Sequence, residues 1–267
     1  MSYFRKNVEA LTAYVPGEQP APGTKVVKLN TNENPYPPSP AAMAVLRDFD
    51  GDLRRYPHPY ARATREAAAR VTGFEPGWIL VGNGSDDLLT MLMRSVAEPG
   101  RKVVFPSPTY VLYQTLAEIQ DAEVVEVSFD EEYRLPVADL AKAAGAVTLV
   151  ANPNSPSGTC ASNEELAERE GSLDGLLVID EAYVDFADAT ALPLVREHEN
   201  VLVLRTLSKG YSLAGLRLGF AIGRPVVIGG LSKVKDSYNV NALSCLAGAA
   251  ALDDQDWQTL NVTDGEP

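Results

Sequence analysis

From about Tyr60 onward, short apolar runs alternate with stretches whose apolar residues recur at helical spacing. The runs at 78–81, 103–105, 123–129, 146–150, 176–179, 201–204 and 218–222 are short and mostly continuous, and they predict strands. Between them, 61–71, 88–96, 111–119, 163–169 and 242–252 read as helices. Strands of this kind, separated by helices, are buried on both faces. They predict an α/β three-layer sandwich with a mostly parallel central sheet. In such a sheet ligands bind beyond the carboxyl ends of the strands, so the residues that follow each strand are where chemistry is to be sought.

The first 60 residues lack this rhythm. They are proline-rich across KLNTNENPYPPSPAAMAVLRDFDGDLRRYPHPY and read as an extended N-terminal arm with one short helix over 41–47, lying across a larger body or a partner subunit. The last 15 residues, DDQDWQTLNVTDGEP, are polar. They predict no further strand or helix and read as a terminus cut short or replaced.

Composition narrows the class. At 267 residues the chain holds one large domain or two modest ones, and 45% hydrophobic content is enough for a sizeable core. A net charge of −13 argues against a nucleic-acid or anionic-membrane surface, while leaving room for a local anion site. Cys160 and Cys245 are too few for a disulfide framework, and with His58 and His198 they make no metal-ligating pattern. The first residues carry charge where a signal peptide needs an apolar run, and no apolar stretch reaches membrane-spanning length. A cytoplasmic location is expected.

Three groups carry candidate chemistry. Gly82 and Gly84 follow a strand and open a helix, but the third glycine of a dinucleotide fingerprint would fall at 87, where Asp87 stands. The turn still delivers free N–H groups at Ser85 and Asp86, a site suited to a phosphate, although Ser85 could equally serve only as a helix cap. Asp180 follows the apolar run at 176–179, at the functional edge of the sheet, where it reads either as a structural cap or as a carboxylate facing a protonated heterocyclic nitrogen. Lys209 lies just beyond another buried strand, among Thr206, Ser208 and a glycine, with Arg217 eight residues on; a lysine so placed is a candidate Schiff-base former. An amine for an aldehyde, a carboxylate for a ring nitrogen and donors for a phosphate are together what pyridoxal 5'-phosphate requires.

The stretches LNTNENPYPPSP, RRYPHP, VGNGSDDLL, FPSPTYVLY, NPNSPSGT, VIDEAYVDF, TLSKGYSLAGLRLGF and VKDSYNVNALS occur in that order from about 29 to 244. In them the chain resembles the fold type I pyridoxal-phosphate-dependent aminotransferases, and within these the histidinol-phosphate aminotransferase family. The resemblance implies an arm with part of a small domain over 1–55, a cofactor-binding large domain over 56–252, and an atypical tail over 253–267 where a C-terminal small domain would begin.

It further implies that Lys209 binds the cofactor's aldehyde and then serves as general base, that Asp180 pairs with the pyridine nitrogen, and that Tyr183 bonds the phenolic oxygen. Tyr110 would stack on the ring. Gly84, Ser85, Asp86, Thr206, Ser208 and Arg217 would surround the phosphate, joined by Tyr56 from the neighbouring subunit of a homodimer. Tyr14, Asn32 and Tyr36 would line the substrate side. Where the family has Asn before its Pro-Thr-Gly turn, this chain has Ser155, so either Asn154 or Ser155 takes that role, with Asn154 preferred. The implied reaction is amino transfer between L-histidinol phosphate and 2-oxoglutarate in histidine biosynthesis. An aromatic-amino-acid aminotransferase, a phospho-amino-acid decarboxylase and a non-catalytic cofactor-binding remnant remain as alternatives.

Overall fold

The computed structural model describes every residue except 1, 14, 16, 19, 22, 171–174 and 264–267. Each apolar run becomes a strand: β1 (Ile79–Gly82), β2 (Lys102–Ser107), β3 (Glu123–Ser128), β4 (Val147–Ala151), β5 (Leu176–Asp180), β6 (Val201–Thr206) and β7 (Gly219–Gly223). They form one sheet in the order β1-β7-β6-β5-β4-β2-β3. The pairs from β6 across to β3 are parallel, whereas β7 runs antiparallel to both β6 and β1.

The helices are α1 (Lys6–Ala10), α2 (Pro40–Arg47), α3 (Arg62–Thr72), α4 (Ser85–Val96), α5 (Leu112–Ile119), α6 (Val137–Ala143), α7 (Asn163–Glu170), α8 (Leu192–Glu197), α9 (Pro225–Ser232), α10 (Ala242–Asp253) and α11 (Gln255–Thr263). Alternation along the strands divides the core between the two faces of the sheet. Val201, Val203, Ile179 and Ile222 join α3, α8 and α10 on one side. Leu202, Leu204, Val178 and Ala221 join α4, α5 and α9 on the other. With period-two side-chain alternation, a strand that is apolar at every position must be covered on both faces, and these are.

The arm and the tail depart from expectation. The arm contains a helix, α1, which docks when Asn7 Nδ2 donates to the carbonyls of Glu118 and Ile119 at the end of α5 (2.9 and 3.0 Å). They belong to the last turn of α5, where the Glu118 carbonyl also accepts from the Asp121 N–H (3.0 Å). The tail, expected to hold no element, forms α11. Its Trp257 Nε1 and Asn261 Nδ2 both donate to the Pro37 carbonyl (3.1 and 3.0 Å). Neither short helix carries a strong apolar stripe, and both are placed by side-chain bonds to distant backbone, which local periodicity does not encode. The helices α6, α8 and α9 also went unpredicted; the last contains two adjacent glycines, which lower helix propensity.

One glycine sets the geometry that matters below. Gly219 pairs with Gly82 on β1 and Thr206 on β6, and a Cβ there would lie 2.7 Å from both the Arg205 carbonyl oxygen and the Ser85 nitrogen. These are backbone atoms and cannot rotate aside, so glycine lets the start of α4 sit directly against the sheet edge. Gly219→Ala should therefore lower the stability of the chain by about 1–3 kcal/mol, the range for overpacking a filled interior. A reduced denaturation midpoint at unchanged slope would show it.

Candidate active site

Asp180 is the last residue of β5, and Lys209 lies three residues beyond the end of the adjacent parallel strand β6. Both belong to the carboxyl edge. The Asp180 carboxylate is buried, accepting from the Tyr113 hydroxyl (2.8 Å) and the Ala182 N–H (3.2 Å). Burial is the main influence on it and pushes its carboxyl up to about 6, against the two hydrogen bonds; the charges of Asp86 and Glu181 push the same way. None of these groups is a cation. A buried carboxylate without a counter-charge is costly, and here it sits where a ligand would lie.

Lys209 is held by the arm. Its Nζ donates to the carbonyls of Thr31 and Asn32 (2.9 and 3.0 Å) and lies 5.4 Å from the centre of the Tyr183 ring. Asn32, with a left-handed φ of 51°, also donates from Nδ2 to the Tyr183 hydroxyl (2.9 Å). Three of the predicted residues, Lys209, Tyr183 and Asn32, thus form one contact group. With Tyr36 and Phe186 and the Asn261 end of α11, they line a cavity of about 450 Å³.

The phosphate candidates also converge. Gly84 has φ 88°, a conformation that suits glycine, and directs the chain into α4 so that Ser85 and Asp86 begin the helix. The Arg217 guanidinium lies over this turn, so close that a Cβ at Gly84 would meet it at 2.8 Å. Arg217 donates to Asp86 Oδ2 (2.9 Å) and, over a longer 3.5 Å, to Ser208 Oγ, to which Thr206 Oγ1 donates (2.9 Å). Helix-start N–H groups, two hydroxyls and a guanidinium in one place make an anion-binding constellation. The Asp86 side chain is engaged by Arg217 and by the Tyr110 hydroxyl (3.1 Å), so what Asp86 offers an anion is its backbone N–H.

Tyr110 stands edge-on to Tyr113, with ring centres 5.6 Å apart. It therefore links the Asp180 side of the site to the anion pocket. Burial and the nearby Asp86 charge raise the Tyr110 phenol well above its ordinary range, which keeps it protonated as a donor. The Asn154 side chain accepts from Thr109 Oγ1 (2.8 Å) and donates to Ser157 Oγ (2.8 Å) and, weakly, to Pro108 O (3.3 Å), bracing the loop that carries Tyr110. Tyr56 is 80% exposed and stacks on Tyr238, with ring centres 4.4 Å apart, instead of joining this group. Tyr14 lies outside the described residues.

Sequence reasoning missed Tyr113 and Asp185, while Asn34 lies in the 32–36 segment expected on the substrate side and lines the cavity. Tyr113 falls inside the helix that the apolar spacing predicts over 111–119, and its place three residues after Tyr110 was the available signal. No helix among the described residues is long and apolar enough to cross a membrane.

The family model for aminotransferase class I and II matches residues 24–263. A histidinol-phosphate aminotransferase 1 of Trichormus variabilis is 59% identical over 255 residues, covering 95% of this chain and 73% of that protein. A second, from Nostoc sp., is 57% identical over 95% of this chain and 72% of its own length. The crystal structure of histidinol-phosphate aminotransferase from Sinorhizobium meliloti, in complex with pyridoxal-5'-phosphate, superposes with a TM-score of 0.87 at 27% identity, covering 98% of this chain and 74% of that one. The chain belongs to the aminotransferase class I and II family, and its sheet is that of the fold type I pyridoxal-phosphate aminotransferases. Within that family, the relatives described here are histidinol-phosphate aminotransferases.

The burial of Asp180 has a measurable sign. A carboxyl whose folded pKa is raised from 3.8 to about 6 favours folding least once it is ionised, so its penalty grows from about pH 4 to pH 6 and is complete above that. Asp180→Asn should make the ligand-free chain more stable at pH 7.5, on the order of 1–3 kcal/mol before the loss of one hydrogen bond is counted. The gain should vanish near pH 4. Thermal unfolding across that range checks it.

Proposed function

We propose that this chain is a histidinol-phosphate aminotransferase, moving the amino group between L-histidinol phosphate and 2-oxoglutarate with pyridoxal 5'-phosphate as cofactor. The observation that carries the chemistry is a buried carboxylate, Asp180, that no cation among the described residues offsets, on the same sheet edge as a lysine and an anion pocket. The substrate follows from the relatives, 57–59% identical over 95% of the chain.

The residues fit the cofactor by charge. A protonated ring nitrogen is the cation that Asp180 lacks. The first N–H groups of α4, with Thr206, Ser208 and Arg217, suit a phosphate. The cofactor, when bound, supplies an aldehyde that condenses with amines and a ring that accepts the electron pair released at the substrate's α-carbon. Asp180 keeps the ring nitrogen protonated, and Tyr113 orients Asp180. Lys209 Nζ, as a free amine, takes the proton from the α-carbon and returns it during transfer. Tyr183 and Tyr110 hold the ring's phenolic edge and face. Asn32 and Tyr36 meet the substrate from the arm, and Asn154 takes the place beside the phenolic oxygen that Ser155 would otherwise fill.

We also infer a cytoplasmic homodimer. Tyr56 is exposed beside Tyr238, and Tyr3 and Leu29 of the arm are more than three-quarters exposed, as suits an arm that crosses a second copy. In that assembly Tyr56 reaches the phosphate of the other subunit's cofactor. Tyr56→Phe should leave the dimer mass unchanged while weakening cofactor binding by about tenfold, the loss of one hydrogen bond to a charged group.

The central test is Lys209→Ala. It should abolish both borohydride-trappable cofactor and turnover, and trapping at another lysine would overturn the assignment. Turnover of histidinol phosphate should exceed that of phenylalanine or threonine phosphate. Preference for either of the latter would move the chain to another branch of the fold, and cofactor binding without any amino transfer would make it a non-catalytic remnant.

A further inference from the structure

The peptide group joining Lys209 to Gly210 is flanked by side chains at both ends. Its carbonyl, that of Lys209, accepts from Asn34 Nδ2 at 3.1 Å. At its other end the Asp185 side chain packs directly against Gly210. Asn34 comes from the arm, while Asp185 lies on the 3₁₀ turn Val184–Phe186 that follows β5.

The glycine here faces Asp185, whose atoms are the nearest to a Cβ added at this position. Gly210 does not have a positive φ, so its backbone conformation is open to other residues. A Cβ at 210, however, would overlap the Cβ and carboxylate of Asp185. Position 210 is thus small because a carboxylate presses on the backbone next to the lysine.

Behind this contact lies a charged group that ties the turn to the strand carrying Asp180. Glu181, buried beside Asp180, is bridged by Arg205 from β6 (2.9 Å) and also accepts from Thr190 Oγ1 (2.8 Å) and the Ala191 N–H (2.5 Å). Arg205 also acts on Asp185, drawing its carboxyl down, while Glu181 pushes it up; burial outweighs both and brings it to about 6. Tyr211, facing the same carboxylate, is pushed up to about 12, chiefly by its own burial, and accepts from Gln255 Nε2 (3.0 Å). One guanidinium therefore serves the carboxylate next to Asp180 directly and the carboxylate on the lysine's peptide through its field.

We propose that Asp185 is a positioning residue, clamping the Lys209–Gly210 peptide against Asn34 and so aiming the Lys209 amino group. The inference rests on the reading of Lys209 as the amine of the active site. The Lys209 side chain is fixed at its tip by the Thr31 and Asn32 carbonyls and at its root by this peptide, so a shift of the root strains the tip. A misplacement of about 1 Å at a reacting group can cost about 100-fold in rate.

Amide hydrogen exchange at Gly210 and steady-state kinetics on the full chain with pyridoxal phosphate test this. In Asp185→Ala, exchange at Gly210 should quicken by about tenfold or more as the side chain packed over it is lost, with amides in β5 and β6 unchanged. Its kcat should fall by at least about tenfold, with KM moving by less than about threefold, as expected for a group that acts on the chemical step. Asp185→Asn, which keeps the side chain's size, should recover most of both. Gly210→Ala, which displaces the carboxylate without altering it, should lose as much rate, and the double variant should be no worse than the single ones.

Unchanged exchange in Asp185→Ala, normal kcat, or additive losses in the double variant would overturn the clamp. If Asp185→Ala unfolds, the comparison of Asp185→Asn with Gly210→Ala still decides the matter. A wild-type chain that loads no cofactor would overturn the functional reading instead, and exchange at Gly210 would still report on the clamp.

Discussion

The ionisation of Asp180 is the constraint around which the site is arranged. Burying a carboxylate costs several kcal/mol unless it is matched by charge or hydrogen bonds. Here the Tyr113 hydroxyl and the Ala182 N–H offset part of that cost, and the remaining deficit is one of charge. In the proposed function a cationic ring nitrogen would remove it, and the stability given up in the ligand-free protein would be recovered on binding.

The remainder of the site follows from the sheet. Parallel strands put the ends of β5 and β6 side by side, and the antiparallel β7 brings Gly219 opposite both Thr206 and Gly82. Residues separated by more than 100 positions, such as Ser85 and Arg217, therefore meet at one edge without any long excursion of the chain. The arm closes this edge from outside, supplying backbone carbonyls to the lysine where the strands supply side chains.

Much of this was legible beforehand. Strand runs such as 201–204 are apolar at every position, and residues after a buried strand end, such as Asp180 and Lys209, are confined to the functional edge by topology alone. What could not be read depends on distant pairing. Tyr113 looks like any aromatic on an amphipathic helix until the neighbouring Asp180 is known. Asp185 looks like a solvated turn residue until Gly210 is seen against it. The helix α11 has too little apolar periodicity to announce itself, because it is fixed by Trp257 and Asn261 on a single carbonyl of the arm.

That last contact joins two remote parts of the chain at the rim of the cavity. Pro37 lies a few residues after Thr31 and Asn32, whose carbonyls hold Lys209, and both hydrogen bonds from α11 end on its one oxygen. Within a few residues the arm is thereby tethered both to the Lys209 amino group and to a helix more than 200 residues later. Tilting that helix would pull on the lysine's own anchors, a mechanical linkage between remote parts of the sequence and the Lys209 amine.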